Sequence, residues 1–247
     1  MKQSYRIDYV DVDCSITSNI RPSVKYRFPN FIDHRDFCLP TNNQGVTPHC
    51  VGYTVAGYLE VEYWKKTHIP KQFPADKIYQ IGRKTLADSI SGTRLEYCLR
   101  GLRDLGCYNG NCILFSSGIY VEEAIKSFIH TYGQTMLAFC ITDEWYSLSS
   151  KYIIKEKKKP NKLGGHCVLC CGYCKEGIYI QNSWGYQKWG NYGFAIVPWN
   201  IVYKQFGYGI VIDGLSFNED KLMEILFNES SSIERDIRQD SETSKNV

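Results

Sequence analysis

Three side chains in this sequence have the types and settings needed for covalent catalysis: Cys50, His166 and Asn182, with Gln44 as a fourth. Cys50 lies in Q-G-V-T-P-H-C-V-G-Y, just ahead of a run in which Val51, Val55, Tyr58, Leu59 and Glu62 follow a 3.6-residue period. Pro48 closes the preceding loop, since it cannot sit deeper in a helix without breaking it. Lys65 and Lys66 end the run, where cations suit the negative end of the helix dipole. Cys50 therefore falls in a first helical turn, where unpaired N–H groups and a partial positive charge favour a thiolate. A lone cysteine in that place is ordinarily a small buried hydrophobe, so residues elsewhere must decide its role.

His166 opens an apolar strand in G-G-H-C-V-L-C-C-G-Y, a setting that by itself suits a structural histidine. Asn182 follows sixteen residues later in Y-I-Q-N-S-W-G-Y. An asparagine placed before Ser-Trp-Gly is unusual for a turn, because tryptophan favours burial and asparagine needs partners. Together the three residues supply a nucleophile, its base and a group that orients the base. Their separation along the chain fits residues that meet across a cleft. Gln44, six residues before Cys50, can set its side-chain amide beside the Cys50 N–H, a pair of donors suited to an oxyanion.

The elements that must position these residues change character along the chain. Residues 1–30 are polar with short β-like runs (Tyr5–Val12, Val24–Phe28) and read as an arm. Helices are predicted from Val51, near Ala75–Lys84, through Leu95, Leu99, Leu102 and Leu105 to a stop at Gly106, and over Val121–His130. Strands are predicted at Thr135–Ile141, Cys167–Tyr173, Gly177–Gln181, Tyr192–Val197 and Gly207–Ile212. A helical half followed by an antiparallel half makes an α+β protein of two lobes. Asn218 can cap a last helix, Glu219–Phe227, ahead of a polar mobile tail.

Composition excludes several functions. The net charge of +3 is too small to argue for nucleic acid, and no run reaches the roughly 18 apolar residues of a membrane span. The 11 cysteines are odd in number and scattered, and the first residues lack the apolar core of a signal peptide. Both point to a reducing, cytoplasmic setting. Cys107 and Cys112, across Y-N-G-N, are the one plausible local disulfide, with the compartment arguing against it. The lysine-rich stretch Lys151–Lys162 reads as a solvated loop.

With these residues in view, the sequence resembles the papain-like cysteine peptidases. The resemblance is carried by Gln44-Gly45 with Cys50 six residues after Gln44, by Gly165-His166 before V-L-C-C-G-Y, and by Asn182-Ser183-Trp184-Gly185 followed by Trp189-Gly190 and Tyr192-Gly193-Phe194. Weaker support comes from P-A-D-K-I-Y and S-G-T-R-L-E-Y-C-L. It spans about residues 29–213 and implies a catalytic domain over 31–215. A helical lobe (about 31–133) would face an antiparallel, β-barrel-like lobe (about 134–215) across the active-site cleft, with helix and tail over 216–247.

The resemblance further implies a peptide or protein substrate held in extended conformation and no metal or cofactor. Trp184 would shield the His166–Asn182 bond, Gly92 would present main-chain groups to substrate, and Arg94 and Cys167 would line the pocket before the cleaved residue. Thr47 replaces a disulfide cysteine of secreted members, Pro48-His49 a small Gly-Ser pair, and Val51 an aromatic residue. With only 30 residues before the domain, the chain looks more like the prosegment-free bacterial or viral branch. The same residues would also serve acyl transfer to an amine, and a non-catalytic peptide binder is the rival from another class. Neither substrate nor oligomeric state follows from the sequence.

Three other features are weighed against the site. Cys167-x-x-Cys170 and Cys171-x-x-Cys174 imitate a zinc motif, but a strand sends these side chains to different sides. His49 adjoins Cys50, yet neighbouring side chains diverge at a helix start. Cys140, in an apolar strand, is expected in the core.

Overall fold

A computed structural model describes residues 28–86, 92–116 and 120–228. The N-terminal arm up to residue 27 and the tail from residue 229 lie outside the described residues. The fold is α+β, built on a mixed helical and antiparallel arrangement. In chain order it has β1 (Ile32–Asp33), α1 (Cys50–Thr67), α2 (Ala75–Leu86), α3 (Leu95–Asp104), β2 (Tyr108–Ser116), α4 (Val121–Tyr132) and β3 (Thr135–Thr142). It continues with β4 (Lys162–Tyr173), β5 (Gly177–Gln181), β6 (Phe194–Pro198), α5 (Trp199–Gln205), β7 (Phe206–Phe217) and α6 (Glu219–Phe227). The sheet runs β2-β7-β3-β4-β5-β6, with β1 added on β4, and its paired strands are antiparallel.

Helix α1 is the pivot. A 3.6-residue apolar period suggests one buried face, but nearly every side is covered: Val55 and Leu59 are 0% exposed and Val51, Ala56, Tyr58 and Val61 are buried. The reason is its place between α2 and α3 on one side and β4 on the other. Gly52 permits the α2 approach, since a Cβ there would sit 2.3 Å from the Ala75 carbonyl oxygen. Polar links pin the helix to the sheet. Tyr58 Oη accepts the Ile212 N–H at 3.0 Å, and Gln134 Nε2 donates to the Tyr58 carbonyl at 3.0 Å. Two apolar clusters flank the sheet, one holding α1, α2, α3 and α6, the other α4 and α5. Asn218 caps α6 as expected, accepting the Lys221 N–H at 3.2 Å.

The first half is less helical than its sequence suggests, because Y-N-G-N opens strand β2 instead of forming a turn. Register shifts between Asn109 and Asn111, and Gly110 sits there at φ +146°, so the glycine makes a bulge inside a strand that pairs with β7. Cys107, just before the strand, and Cys112, in its middle, are both free thiols. Strand β4 begins five residues earlier than predicted, since Lys162–His166 pair with β3 through their backbone whatever their side chains. His166 thus sits inside the strand, not at its start. Cys140 is exposed, contrary to expectation. β7 leaves β3 at Phe139, and the β4 residue opposite Cys140 is Gly165, which has no side chain to cover it.

Glu60 is the one carboxylate buried within α1. It is 6% exposed, its Oε1 accepts the Phe73 N–H at 2.8 Å, and burial pushes its carboxyl up to about 7. A folded value above the unfolded one means the native state holds the proton more tightly. Stability from this group is therefore full below about pH 4.5 and is lost as pH rises through about 7, by up to about 3 kcal/mol. Urea unfolding of Glu60→Gln between pH 4.5 and 8 should show that decline flattened relative to the unmodified protein. Parallel declines in the two proteins would mean that Glu60 does not titrate in this range.

Candidate active site

Three separate elements, with the loop before α1, hold the sequence-predicted residues. Cys50 opens α1, half-buried, and its carbonyl accepts the Thr54 hydroxyl at 2.9 Å. His166 points from β4 and is 3% exposed. Asn182 follows the last residue of β5 and is 2% exposed; its N–H is held by the Gly193 carbonyl at 2.9 Å. His166 Nε2 lies 2.8 Å from Asn182 Oδ1, which also accepts the Ser183 N–H at 2.8 Å. An amide oxygen that already accepts one N–H calls for a donor at Nε2, so Nε2 carries its proton and Nδ1 is the nitrogen left for the thiol.

Electrostatics set Cys50 apart from the other thiols. The Cys167 thiol donating toward it, with the hydrogen bond and charge of His166, holds Cys50 well below the usual thiol range against the opposing effect of burial. Cys167 is displaced the other way, well above that range, chiefly by Cys50 and then by burial. Burial pushes Cys98, Cys170 and Cys171 up as well.

Aromatic rings enclose the imidazole. Trp184, 3% exposed, stacks on His166 with centroids 4.9 Å apart and planes at 28°. Tyr146 stacks in turn on Trp184 at 5.1 Å, making a three-ring pile with its outer member exposed. Trp145 meets His166 edge-on at 6.0 Å and 89°, fully buried. Its Nε1 donates to Gln205 Oε1 at 2.8 Å, and its carbonyl accepts Trp189 Nε1 at 2.8 Å. Sequence reading missed Trp145 and Tyr146. The only signal was the W-Y pair in D-E-W-Y, which has no periodic context.

Gln44 is locked from both ends. Its Oε1 accepts the Ser183 hydroxyl at 2.5 Å and its Nε2 donates to the Thr47 carbonyl at 2.7 Å. The Gln44 N–H reaches the Ser183 carbonyl at 2.8 Å, tying the loop before α1 to the residue after Asn182. Ser183 was not singled out in the sequence, although it sits inside the N-S-W-G block.

The expected substrate-binding residues differ in outcome. Cys167 is buried on the α1 side of the sheet, in the cluster against which Cys50 packs. Gly92, at φ +100°, does not offer open main-chain groups: its N–H donates to Tyr79 Oη at 3.1 Å and its carbonyl accepts Arg83 at 2.5 Å. Arg94 precedes α3 and turns toward its own helix, 3.9 Å from Glu96 and with its guanidinium 5.9 Å from the centre of the Tyr97 ring. His49 turns away from Cys50, 2.7 Å from Asp76 and stacked on Tyr79. Among the described residues, no group of three or more His, Cys, Asp or Glu side chains is arranged to hold a metal ion. No helix among them is long and apolar enough to cross a membrane.

No family model matches the chain. It is 23% identical over 184 residues to a cathepsin L-like peptidase of Aedes aegypti, a match covering 63% of the chain and 54% of that relative. The chain thus spans about half the length of the curated relative it matches. Among solved structures it is similar to xylellain, a cysteine protease from Xylella fastidiosa, with TM-score 0.69, 18% identity, and 85% and 96% of the two chains covered. It is also similar to procathepsin B S9 of Trypanosoma congolense (TM-score 0.61, 15% identity, 78% and 80% covered). A third is digestive procathepsin L 3 of the Tenebrio molitor larval midgut (TM-score 0.58, 14% identity, 85% and 74% covered). The fold is that of the papain-like cysteine peptidases, and the sequence resemblance to that family agrees with it.

Proposed function

We propose that the chain is a cysteine peptidase in which Cys50 is the nucleophile and His166 the general acid and base. The observation that carries this reading is the geometry around His166, whose Nε2 is held 2.8 Å from Asn182 Oδ1 while Trp184 stacks on its ring, together with Cys50 in the first turn of α1. Cys50 Sγ attacks the substrate carbonyl carbon, and the oxyanion is received by the Cys50 N–H and the second hydrogen of Gln44 Nε2. His166 Nδ1–H protonates the leaving amine as the C–N bond breaks, which leaves a thioester on Cys50. The same nitrogen then takes a proton from water, whose oxygen attacks the thioester, and the acid product departs with thiolate and imidazolium restored. Asn182 acts as a positioning residue, and Trp184 with Tyr146 keeps water from the Nε2–Oδ1 bond.

The test is cleavage of a fluorogenic peptide library by the purified chain, with a peptide aldehyde as inhibitor and Cys50→Ala as the inactive reference. Asn182→Ala should lower kcat by roughly 10²-fold with its thermal midpoint nearly kept. Turnover unchanged in the folded variant would remove Asn182 from the mechanism. A library that binds but is never cut would favour the non-catalytic reading.

A further inference from the structure

Behind Trp145 lies a closed polar cluster of Thr142, Glu144 and Gln205, all buried, to which the peptidase cycle gives no part. Glu144 receives three donors. Its Oε2 accepts the Thr142 hydroxyl at 2.6 Å and Gln205 Nε2 at 2.7 Å, and its Oε1 accepts the Lys157 N–H at 2.8 Å. Thr142 Oγ1, its proton already turned to Glu144, accepts from Gln205 Nε2 at 3.0 Å. Both residues therefore require a donor from Gln205, which turns its Nε2 to them and its Oε1 to Trp145. An indole N–H can only donate, so the 2.8 Å bond from Trp145 Nε1 to Gln205 Oε1 exists in this amide orientation alone.

We propose that Gln205 is a positioning residue for His166, oriented by Glu144 and acting through the Trp145 indole. The need for it follows from magnitudes. A hydrogen bond such as His166 Nε2 to Asn182 Oδ1 tolerates roughly 30° of tilt before it weakens, whereas a reacting group must be held within about 10–20°. Packing must supply the difference. Trp184 limits the imidazole on its face, with planes at 28°, and Trp145 meets it at 89°, so the two rings oppose motion in different directions. Trp145 can do this only if its own indole is fixed, and the Gln205 bond is what fixes the Nε1 side. Trp145 is 0% exposed, so substrate cannot touch it or the cluster behind it, and the effect of losing the cluster falls on kcat.

The effect on turnover rests on the peptidase reading, but the restraint on the ring does not. In the full chain, Gln205→Leu should lower kcat roughly 10- to 100-fold and leave KM within about twofold of its starting value. Glu144→Gln keeps the shape but must turn an NH2 group toward one of its donors, so it should lower kcat in the same way. It carries the test should the leucine variant fold poorly. Proton NMR gives a readout apart from turnover. The His166 Nε2–H resonance, identified by its absence from His166→Ala, should exchange with solvent at least roughly tenfold faster in both variants. Trp145→Phe removes the N–H that Gln205 holds, so adding Gln205→Leu to it should lower kcat by no more than roughly threefold further. An equal loss from Gln205→Leu with and without the indole N–H, or parent-like kcat and exchange in the folded variants, overturns the proposal. If the parent chain cuts no peptide, the peptidase reading fails, and the exchange rates still decide whether Gln205 restrains the ring.

Discussion

At pH 5.5 iodoacetamide is expected to label Cys50 before the other described cysteines, and His166→Ala to slow that labelling on the order of 10²-fold. An unperturbed thiol, with a pKa near ~8.5, is thiolate in only about one molecule in a thousand at that pH. Cys50 escapes this limit because the Cys167 hydrogen bond, the His166 hydrogen bond and the His166 charge all favour its anion. Removing the imidazole takes away two of these three supports, so the loss stays short of the full thousandfold. At pH 9 the thiol ionises with far less help, and the variant should label nearly as fast as the parent. Cys140, exposed on β3, is the internal comparator for access, while Cys98, Cys170 and Cys171 should stay unlabelled at both pH values because they are buried. Label spread evenly over several cysteines at pH 5.5, or an unchanged Cys50 rate in His166→Ala, would dissolve the ion pair and with it the proposed chemistry.

Gln44→Glu should lower kcat by roughly 10²–10³-fold while leaving KM close to its starting value, the mark of a donor that acts only in the transition state. The substitution is chosen from the hydrogen bonds. Glutamate keeps an acceptor for the Ser183 hydroxyl, now at 2.5 Å from Gln44 Oε1, but replaces the Nε2 donor with an oxygen. That oxygen faces the Thr47 carbonyl, which the amide now satisfies at 2.7 Å, and it repels a developing oxyanion. Gln44→Ala removes the donor without adding charge, so it should lose less than the glutamate variant. Ser183→Ala, which only loosens the amide, should lose least. A change in KM alone across the three would mean that Gln44 positions substrate and has no part in stabilising charge.

What the sequence revealed depended on whether a residue's neighbours along the chain were also its neighbours in space. Helix boundaries were legible because capping and period are local: Asn218 caps α6, and Gly106 adopts positive φ just past α3. His166 and Asn182 stood out because each sits in a short block of distinctive composition, whereas the Cys50 block is ordinary and gained meaning only from those two. Residues whose role depends on distant partners were not. Trp145 matters through Gln205, sixty positions away, and Ser183 through Gln44, 139 positions away. Strand β2 was hidden because its bulge glycine looks like a turn until β7 lies beside it. Cys140 was misplaced since apolar alternation cannot tell that β7 stops covering β3 at Phe139. Gly92 looked open because the Tyr79 and Arg83 side chains that occupy it are invisible in a local reading.

Strand order has a consequence for biosynthesis. Among the described residues β7 is the last strand made, yet it lies between β2 and β3, and its Ile212 N–H secures Tyr58 of α1. Residues 108–116 must therefore wait for residues 208–217 before they can pair. A chain still emerging from the ribosome holds two unpaired strand edges and a helix without its far support, and such late, long-range closure is slow. By then α1, β4 and the Asn182 segment have all been synthesised, but the wall that fixes them has not. The thiol therefore gains its fixed surroundings only once β7 has been made and closes the sheet between β2 and β3.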